Sequence, residues 1–559
     1  MNKFFTIIVI LIKNHKSMKL SVFLLLTASF SIYFISSLFA YTGEVILSFN
    51  TPGKYPTGMT YDGKNLWLAD RYDDKLYCID PANGKVIRSI PSPGYWPMGL
   101  AWDGEALWNA DIKGGLPLAE NYNGKIYRID PKDGTVLHTV LAPSGAPGGL
   151  TWDGTYLWCS DHFTDEVMQF DPGDGTTIRS FKAPAKDPRG MTFDGKYLWI
   201  SDRINDEIYM SDPANGNVIL VTDAPGKYVR GLCYDGKHLW AVDYQDKKIY
   251  KLKVNDDEKF IRYDEHHGKV TYTHQTTNFG PGNVKTADVH FALATERDNQ
   301  VINGELQFSP KYTDIVTDKW GQKTAHWLHK DIKPGEARTI RITTDIKTYA
   351  VRYFIFPEKA GSLDDIPGEI KGKYLENNEK YQTDHPYIQK AVKKVVGDEK
   401  NTYMIARNIF NYLIENMYYE MAGGWNTAPA VLERGNGSCS EYSFVYIAMC
   451  RAAGVPARYV GSVVVRGDDA SMDDVFHRWV EVFLPNYGWI PVDPSGGDRD
   501  LPCDQARYFG GLSRRFYITT QSGGGSETMG WTYNSNEFWT ADPKTNVVFE
   551  HFADWEPAE

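Results

Sequence analysis

Three residues of this 559-residue chain have the types needed for nucleophilic chemistry. Cys439 lies in Gly435-Asn436-Gly437-Ser438-Cys439-Ser440-Glu441-Tyr442. His477 opens His477-Arg478-Trp479-Val480-Glu481-Val482, and Asp493 closes Gly488-Trp489-Ile490-Pro491-Val492-Asp493. A thiol attacks as thiolate, an imidazole can take its proton, and a carboxylate can fix the tautomer and orientation of the imidazole. Taken singly, each residue has an ordinary structural role: a small buried hydrophobe, a strand-end histidine and a turn former before Pro494. The order Cys, His, Asp on three positioned elements is what points to chemistry.

Those elements are legible in the residue pattern. Glycines bracket the approach to Cys439, and the apolar run Tyr442–Ala453 that follows is helical, placing the thiol at a helix N-terminus where partial positive charge favours thiolate. Upstream, Ile388, Ala391, Val392, Val395 and Val396 share a helical face, as do Ile405, Ile409, Phe410, Leu413 and Met417. Strands are predicted at Ala457–Val465, Arg478–Phe483 and Gly488–Val492. Helices packed on a sheet make an α+β domain over residues 359–559. The Cys439 amide is one oxyanion donor, and the loop Asn436-Gly437-Ser438 is read as giving substrate access.

These segments, with Arg451-Ala452-Ala453-Gly454-Val455-Pro456-Ala457-Arg458, resemble the bacterial transglutaminase-like superfamily over roughly residues 380–500. The resemblance implies a papain-like core with Cys439, His477 and Asp493 as catalytic triad. It also implies an upstream aromatic that assists the oxyanion, with Tyr418, Tyr419 and Trp425 as equal candidates. The activity implied is amide chemistry through a thioester, hydrolytic more often than cross-linking. A protein-glutamine cross-linking enzyme is the alternative, and a catalytically silent binding scaffold is the rival from another class. The acidic loop 468–474 is read as solvated in preference to a Ca²⁺ site, because it lacks a Gly-centred calcium-loop spacing.

Residues 44 to about 254 repeat one sentence five times, marked by Leu66-Trp67, Leu107-Trp108, Leu157-Trp158, Leu198-Trp199 and Leu239-Trp240. The tryptophans are spaced 41, 50, 41 and 41 residues apart, the long interval carrying a nine-residue insertion between Asp111 and Ile126. Units of this length with four short strands predict a β-propeller over 41–258. Five blades are expected, or six with a degenerate unit. The fifth unit lacks its outer strand, which Gly43–Phe49 can supply. One Asp per unit (Asp70, Asp111, Asp161, Asp202, Asp243) is read as fixing a turn, not as a metal ring. The repeats resemble those of secreted bacterial proteins of the YVTN, NHL and gluconolactonase-like kind. Alternating strands over 259–358 then predict a small β-sandwich.

No metal or cofactor is expected. A net charge of −11 argues against nucleic-acid binding. Met18-Lys19 followed by the apolar run Leu20–Phe39 reads as a signal peptide over residues 1–40, with an uncleaved membrane anchor as the alternative. A secreted, periplasmic or cell-envelope protein follows, acting on a protein or peptide, with the propeller binding an envelope or extracellular protein or glycan. Six cysteines over this length are no disulfide framework. Cys78, Cys159, Cys233 and Cys450 read as core fillers, and Cys503 has no evident place.

Overall fold

A computed structural model describes residues 41–112, 124–421 and 424–558. The predicted signal segment and most of the insertion after Asp111 lie outside the described residues. Among those described, no helix is long and apolar enough to cross a membrane. All six cysteines are free, with Cys439 half-buried and the other five buried.

Five four-stranded antiparallel sheets form the N-terminal ring. The first is Pro56–Tyr61, Leu66–Asp70, Lys75–Ile79 and Val86–Pro91. The fifth is closed from the other end of the repeat array: Val45–Asn50 pairs antiparallel with Lys248–Leu252, as expected from its match to the missing strand. The invariant residues explain the ring. A methyl group added at Gly58 would lie 2.0 Å from the Met98 carbonyl oxygen, one at Gly149 2.4 Å from that of Arg189, and one at Gly231 2.8 Å from the Met59 nitrogen. Inner strands meet at the axis so closely that only glycine fits, and the last contact returns to the first blade.

Each tryptophan works between blades. Trp67 packs with Leu100 and Leu107 of the next blade, and Trp240 packs with Met59 and Leu66 of the first. A buried indole N–H left without an acceptor costs stability. In every unit it donates to the Asp five residues earlier, from Trp67 to Asp62 at 2.8 Å through Trp240 to Asp235 at 2.9 Å. The second repeated Asp ties down turns, as the sequence suggested. Asp70 accepts from the amides of Tyr55, Tyr72 and Asp73, and Asp243 from those of Tyr228, Gln245 and Asp246.

The sandwich is larger than its predicted span. One sheet runs Gln300–Ile302, Ala337–Tyr353, Phe260–Asn278, Val547–Pro557, Ser471–Asp473; the other runs Asp314–Thr317, Lys323–Ile332, Val284–Ala292, Ser535–Ala541. Residues 359–559 therefore are not one unit. The chain leaves the sandwich, builds the α+β region and returns with its last two strands. The long strand Phe260–Asn278 needs a partner on each edge, and Val547–Pro557 supplies the second along eleven paired positions. The α+β region has an antiparallel sheet ordered Gly488–Val492, His477–Leu484, Ala457–Val464, Phe516–Ser522. The Cys439–Ala452 helix lies on it, buried on every side from Ser440 to Arg451, with the helices Pro386–Val396 and Thr402–Asn416 packed around it.

Cys503 now has a place. It sits in the short helix Pro502–Ala506, which packs against the propeller strand Val218–Asp223, and its amide donates to the Pro184 carbonyl at 3.0 Å. Nearby, Glu207 of the propeller receives Arg507 at 2.7 Å and Arg352 at 3.4 Å.

The axial crowding sets a test. Gly231→Ala is expected to destabilise the protein by about 1–3 kcal/mol through overpacking. Gly372→Ala, on the Gly368–Tyr374 helix with nothing within 4 Å of the added carbon, is expected to be neutral or slightly stabilising. Thermal denaturation of the two variants side by side checks this, and equal midpoints would contradict the close-packed axis.

Candidate active site

Cys439 begins its helix. Ser438 caps it in extended conformation, and the Ser438 amide donates to the Glu441 carboxylate at 3.2 Å. Glu441 is fully buried and also accepts from the Asn426 backbone and side-chain nitrogens, each at 3.1 Å, and from Arg434 at 2.9 Å. One carboxylate thus braces the segment before Cys439, the end of the preceding helix and the loop at Asn426. The glycines serve this brace. Gly435 ends the Ala428–Arg434 helix at φ +78°, and a methyl group on Gly437 would lie 2.8 Å from the Glu441 Cβ. Gly437 is buried, so its smallness serves packing against Glu441 and not the substrate access read from the sequence.

His477 starts a strand, and Asp493 follows the neighbouring one, whose pairing runs from Leu484 opposite Gly488 to Val480 opposite Val492. Their side chains meet: His477 Nε2 and Asp493 Oδ2 are 2.7 Å apart. The other carboxylate oxygen accepts from the Ser495 hydroxyl at 2.8 Å and the Gly496 amide at 3.0 Å. The imidazole is stacked against Phe516 and Trp479, with ring centroids 5.5 Å and 5.8 Å away. With Nε2 committed to Asp493, Nδ1 is the nitrogen left for the thiol.

The electrostatics follow from burial opposed by pairing. Burial alone would raise the Cys439 thiol, but the hydrogen bond and charge of His477, then the Arg478 amide and charge, bring it below its ordinary value. Burial would likewise hold His477 neutral, yet the charge and hydrogen bond of Asp493, followed by Cys439, raise its pKa. Asp493 is lowered against burial by the same imidazolium and by Gly496 and Ser495. The three groups therefore favour thiolate, imidazolium and carboxylate together.

Several contributors were not singled out from sequence. Asp473 is buried, and it accepts from the amides of Val464 (2.7 Å), Phe476 (3.1 Å) and Val475 (3.3 Å) and from Arg466. These bonds hold Phe476 at φ +59°, a costly conformation for a bulky residue, immediately before His477. The Phe476 ring is buried in the sandwich core, 5.5 Å from Tyr272 between centroids, and Ser471–Asp473 pairs with Val547–Pro557. The acidic loop thus corrects its sequence reading: Asp468, Asp469 and Asp474 are exposed, but Asp473 aims the histidine. Asp473 is four residues from His477 in an acidic run, and nothing in its spacing distinguished it from its neighbours.

Arg478, the residue after His477, is also fully buried. Its guanidinium lies 4.4 Å from the centroids of Tyr459 and Tyr533, 4.8 Å from Trp425 and 5.3 Å from Phe444, and it donates to the Trp531 carbonyl. Aromatic faces hold a cation there beside the thiolate. Trp425 is thereby occupied on Arg478. The Tyr418 hydroxyl accepts from Asn436 at 2.9 Å. The Tyr419 phenol is raised by burial and then by the charges of Cys439 and Asp493. A cavity of about 680 Å³ at the junction with the propeller is lined by Asp493, Trp479 and Phe516 but by neither Cys439 nor His477, so it lies behind the site.

A thiol at a buried helix's first turn thus stands with a histidine at the start of one strand and an aspartate just after its neighbour. Residues 389–494 match the family model of the transglutaminase-like superfamily, so this stretch is a transglutaminase-like domain. Curated relatives include the uncharacterized protein YebA of Bacillus subtilis, 26% identical over 189 residues, covering 32% of this chain and 24% of that protein. An uncharacterized protein of Haemophilus influenzae is 26% identical over 232 residues, covering 34% of this chain and 60% of its own length. The chain thus spans less than two thirds of either. A solved candidate cysteine protease from Cytophaga hutchinsonii is 16% identical, covering 52% of this chain and 92% of that one, with a TM-score of 0.38.

Two tests follow from the site. Near neutral pH, iodoacetamide is expected to alkylate Cys439 faster than a model thiol, while Cys503, which burial first raises to about 11, stays unmodified in the folded protein. Peptide mass mapping reads both, and equal rates would contradict the thiolate assignment. Asp473→Ala leaves three amides unsatisfied and releases the Phe476 turn. It is expected to lower Cys439 reactivity and turnover by about 10- to 100-fold while the propeller melts normally. Unchanged reactivity would remove Asp473 from the site.

Proposed function

We propose that the protein is an exported cysteine enzyme that hydrolyses amide bonds of proteins or peptides through a thioester. The observation that carries this reading is the 2.7 Å His477–Asp493 pair beside a half-buried Cys439 whose pKa is lowered. Export rests on the sequence of residues 1–40.

The Cys439 thiolate attacks the carbonyl carbon, and the C=O electron pair moves onto oxygen. The resulting oxyanion is placed to accept from the Cys439 amide, which as the first of its helix has no intrahelical acceptor. Collapse breaks the C–N bond, and the His477 imidazolium gives its proton to the departing amine. Water then attacks the thioester carbonyl as neutral His477 takes its proton. The C–S bond breaks and thiolate and imidazolium are restored. Asp493 stays ionised throughout, stabilising the imidazolium and fixing the ring. The strand that starts at His477 and the paired strand that ends just before Asp493 hold the pair in place, so substrate binding need not reorganise it.

The experiment is an assay of the purified protein on denatured protein substrates and glutamine-containing peptides. Peptidase activity appears as new amino termini, deamidation as ammonia without them, and cross-linking as incorporation of a labelled primary amine. New amino termini are expected. Cys439→Ala is expected to abolish turnover, and His477→Ala to lower it by about 10³-fold or more. Amine incorporation outpacing hydrolysis would replace hydrolase by transferase, and activity surviving in Cys439→Ala would overturn the thioester route altogether.

A further inference from the structure

The five propeller units are invariant where the ring needs them and differ at the axis. One residue before each axial glycine stand Thr57, Met98, Gly148, Arg189 and Arg230, and one after each turn-fixing aspartate stand Arg71, Ile112, His162, Arg203 and Tyr244. These are neighbours of invariant residues, yet they carry unrelated side chains. Scaffold alone gives no reason for four arginines among ten such positions.

Several of these residues line a cavity of about 400 Å³, together with Trp96, Phe163 and Tyr228. Arg230 is 8% exposed, and its guanidinium contacts the Met98 sulfur at 3.7 Å and the faces of Tyr244 and Tyr228 at 5.3 and 5.4 Å. Among the described residues it has no carboxylate partner. Arg71 has none either: it donates to the Tyr244 hydroxyl at 2.9 Å and lies against the rings of Tyr55 and Trp96. Arg189 shares Asp187 with Arg203. Four arginines against one paired carboxylate leave the cluster short of negative charge by three. Burial first, then Arg189 and Arg71, push Arg230 down to about 10, against the favourable pull of Tyr228. A buried cation without a counter-ion costs stability, and such a cost persists where a ligand relieves it. Phe163 of the lining is 60% exposed.

We propose that this axial cavity binds an organic oxyanion, its charge on Arg230 and Arg71 and its apolar or aromatic body against Trp96, Tyr228 and Phe163. The site is separate from the thiol and does not rest on the amide-cleaving reading. A peptide carboxylate and an aryl phosphate share this chemistry, and both fit the guanidinium fork.

Calorimetric titration of the full chain with N-acetylphenylalanine, N-acetylphenylalanine amide and phenyl phosphate tests it. One-to-one binding of at least one anion is expected, with no binding of the amide, and the tighter anion identifies the source. Arg230→Met is expected to weaken that binding at least about tenfold, with a melting temperature equal to or above that of the parent. Arg71→Met serves as the second variant, and Cys439→Ala is expected to bind as the parent does. The proposal is overturned by equal binding of the amide, by no binding of either anion, by unchanged affinity in Arg230→Met, or by a lower melting temperature in Arg230→Met, which would make the arginine structural.

Discussion

Burial at the site disfavours every charge that the chemistry needs. A thiol removed from water stays protonated and an imidazole removed from water stays neutral, so neither would act without a compensating partner. The His477–Asp493 hydrogen bond supplies the first compensation, and the imidazolium it stabilises supplies the second, to Cys439. Arg478, held by four aromatic faces and by the Trp531 carbonyl, adds a second positive charge beside Cys439. Much of the remaining architecture serves to keep these groups in register. Glu441 braces the Cys439 turn from within the first turn of the helix, and Phe516 and Trp479 stack on the imidazole.

That register extends beyond the α+β region. The turn delivering His477 is anchored by Asp473 and by a phenylalanine sunk in the sandwich, and the strand beneath it is the last of the chain. Arg297 of the sandwich and Arg458 of the sheet converge on the buried Glu481, four residues into the His477 strand. The sandwich is therefore part of the positioning machinery and not a spacer. The propeller joins through Cys503, Glu207 and the aromatic residues Phe354 and Phe356, which complete the cluster around Trp199.

Regular features of the fold were legible because each has a local cause. The Trp and Asp period marks blades since every blade repeats the same indole-to-carboxylate bond, and the outer strand at Val45–Asn50 was recognisable as the missing piece of the fifth unit. Cys439, His477 and Asp493 stood out through the segments around them, and the structure brings all three together. What escaped was non-local. Alternation in Ser535–Ala541 and Val547–Pro557 says that they are strands but not that they return to Val284–Ala292 and Phe260–Asn278. Asp473 looks like any acid of its loop until its amide partners are known. Cys503 acquires meaning only from a propeller strand some 280 residues earlier, and Arg230 only from the ring that gathers it with Arg71.

The central claim is that Cys439 rests as thiolate paired with imidazolium. Its most direct test is the ultraviolet thiolate absorbance of the protein minus that of Cys439→Ala, followed from acid to alkaline pH. With the thiol lowered and the imidazolium raised, the difference signal should be present at neutral pH and fade only as pH falls well below the ordinary thiol value of about 8.5. A signal that first appears at or above that value would contradict the ion pair and the mechanism built on it.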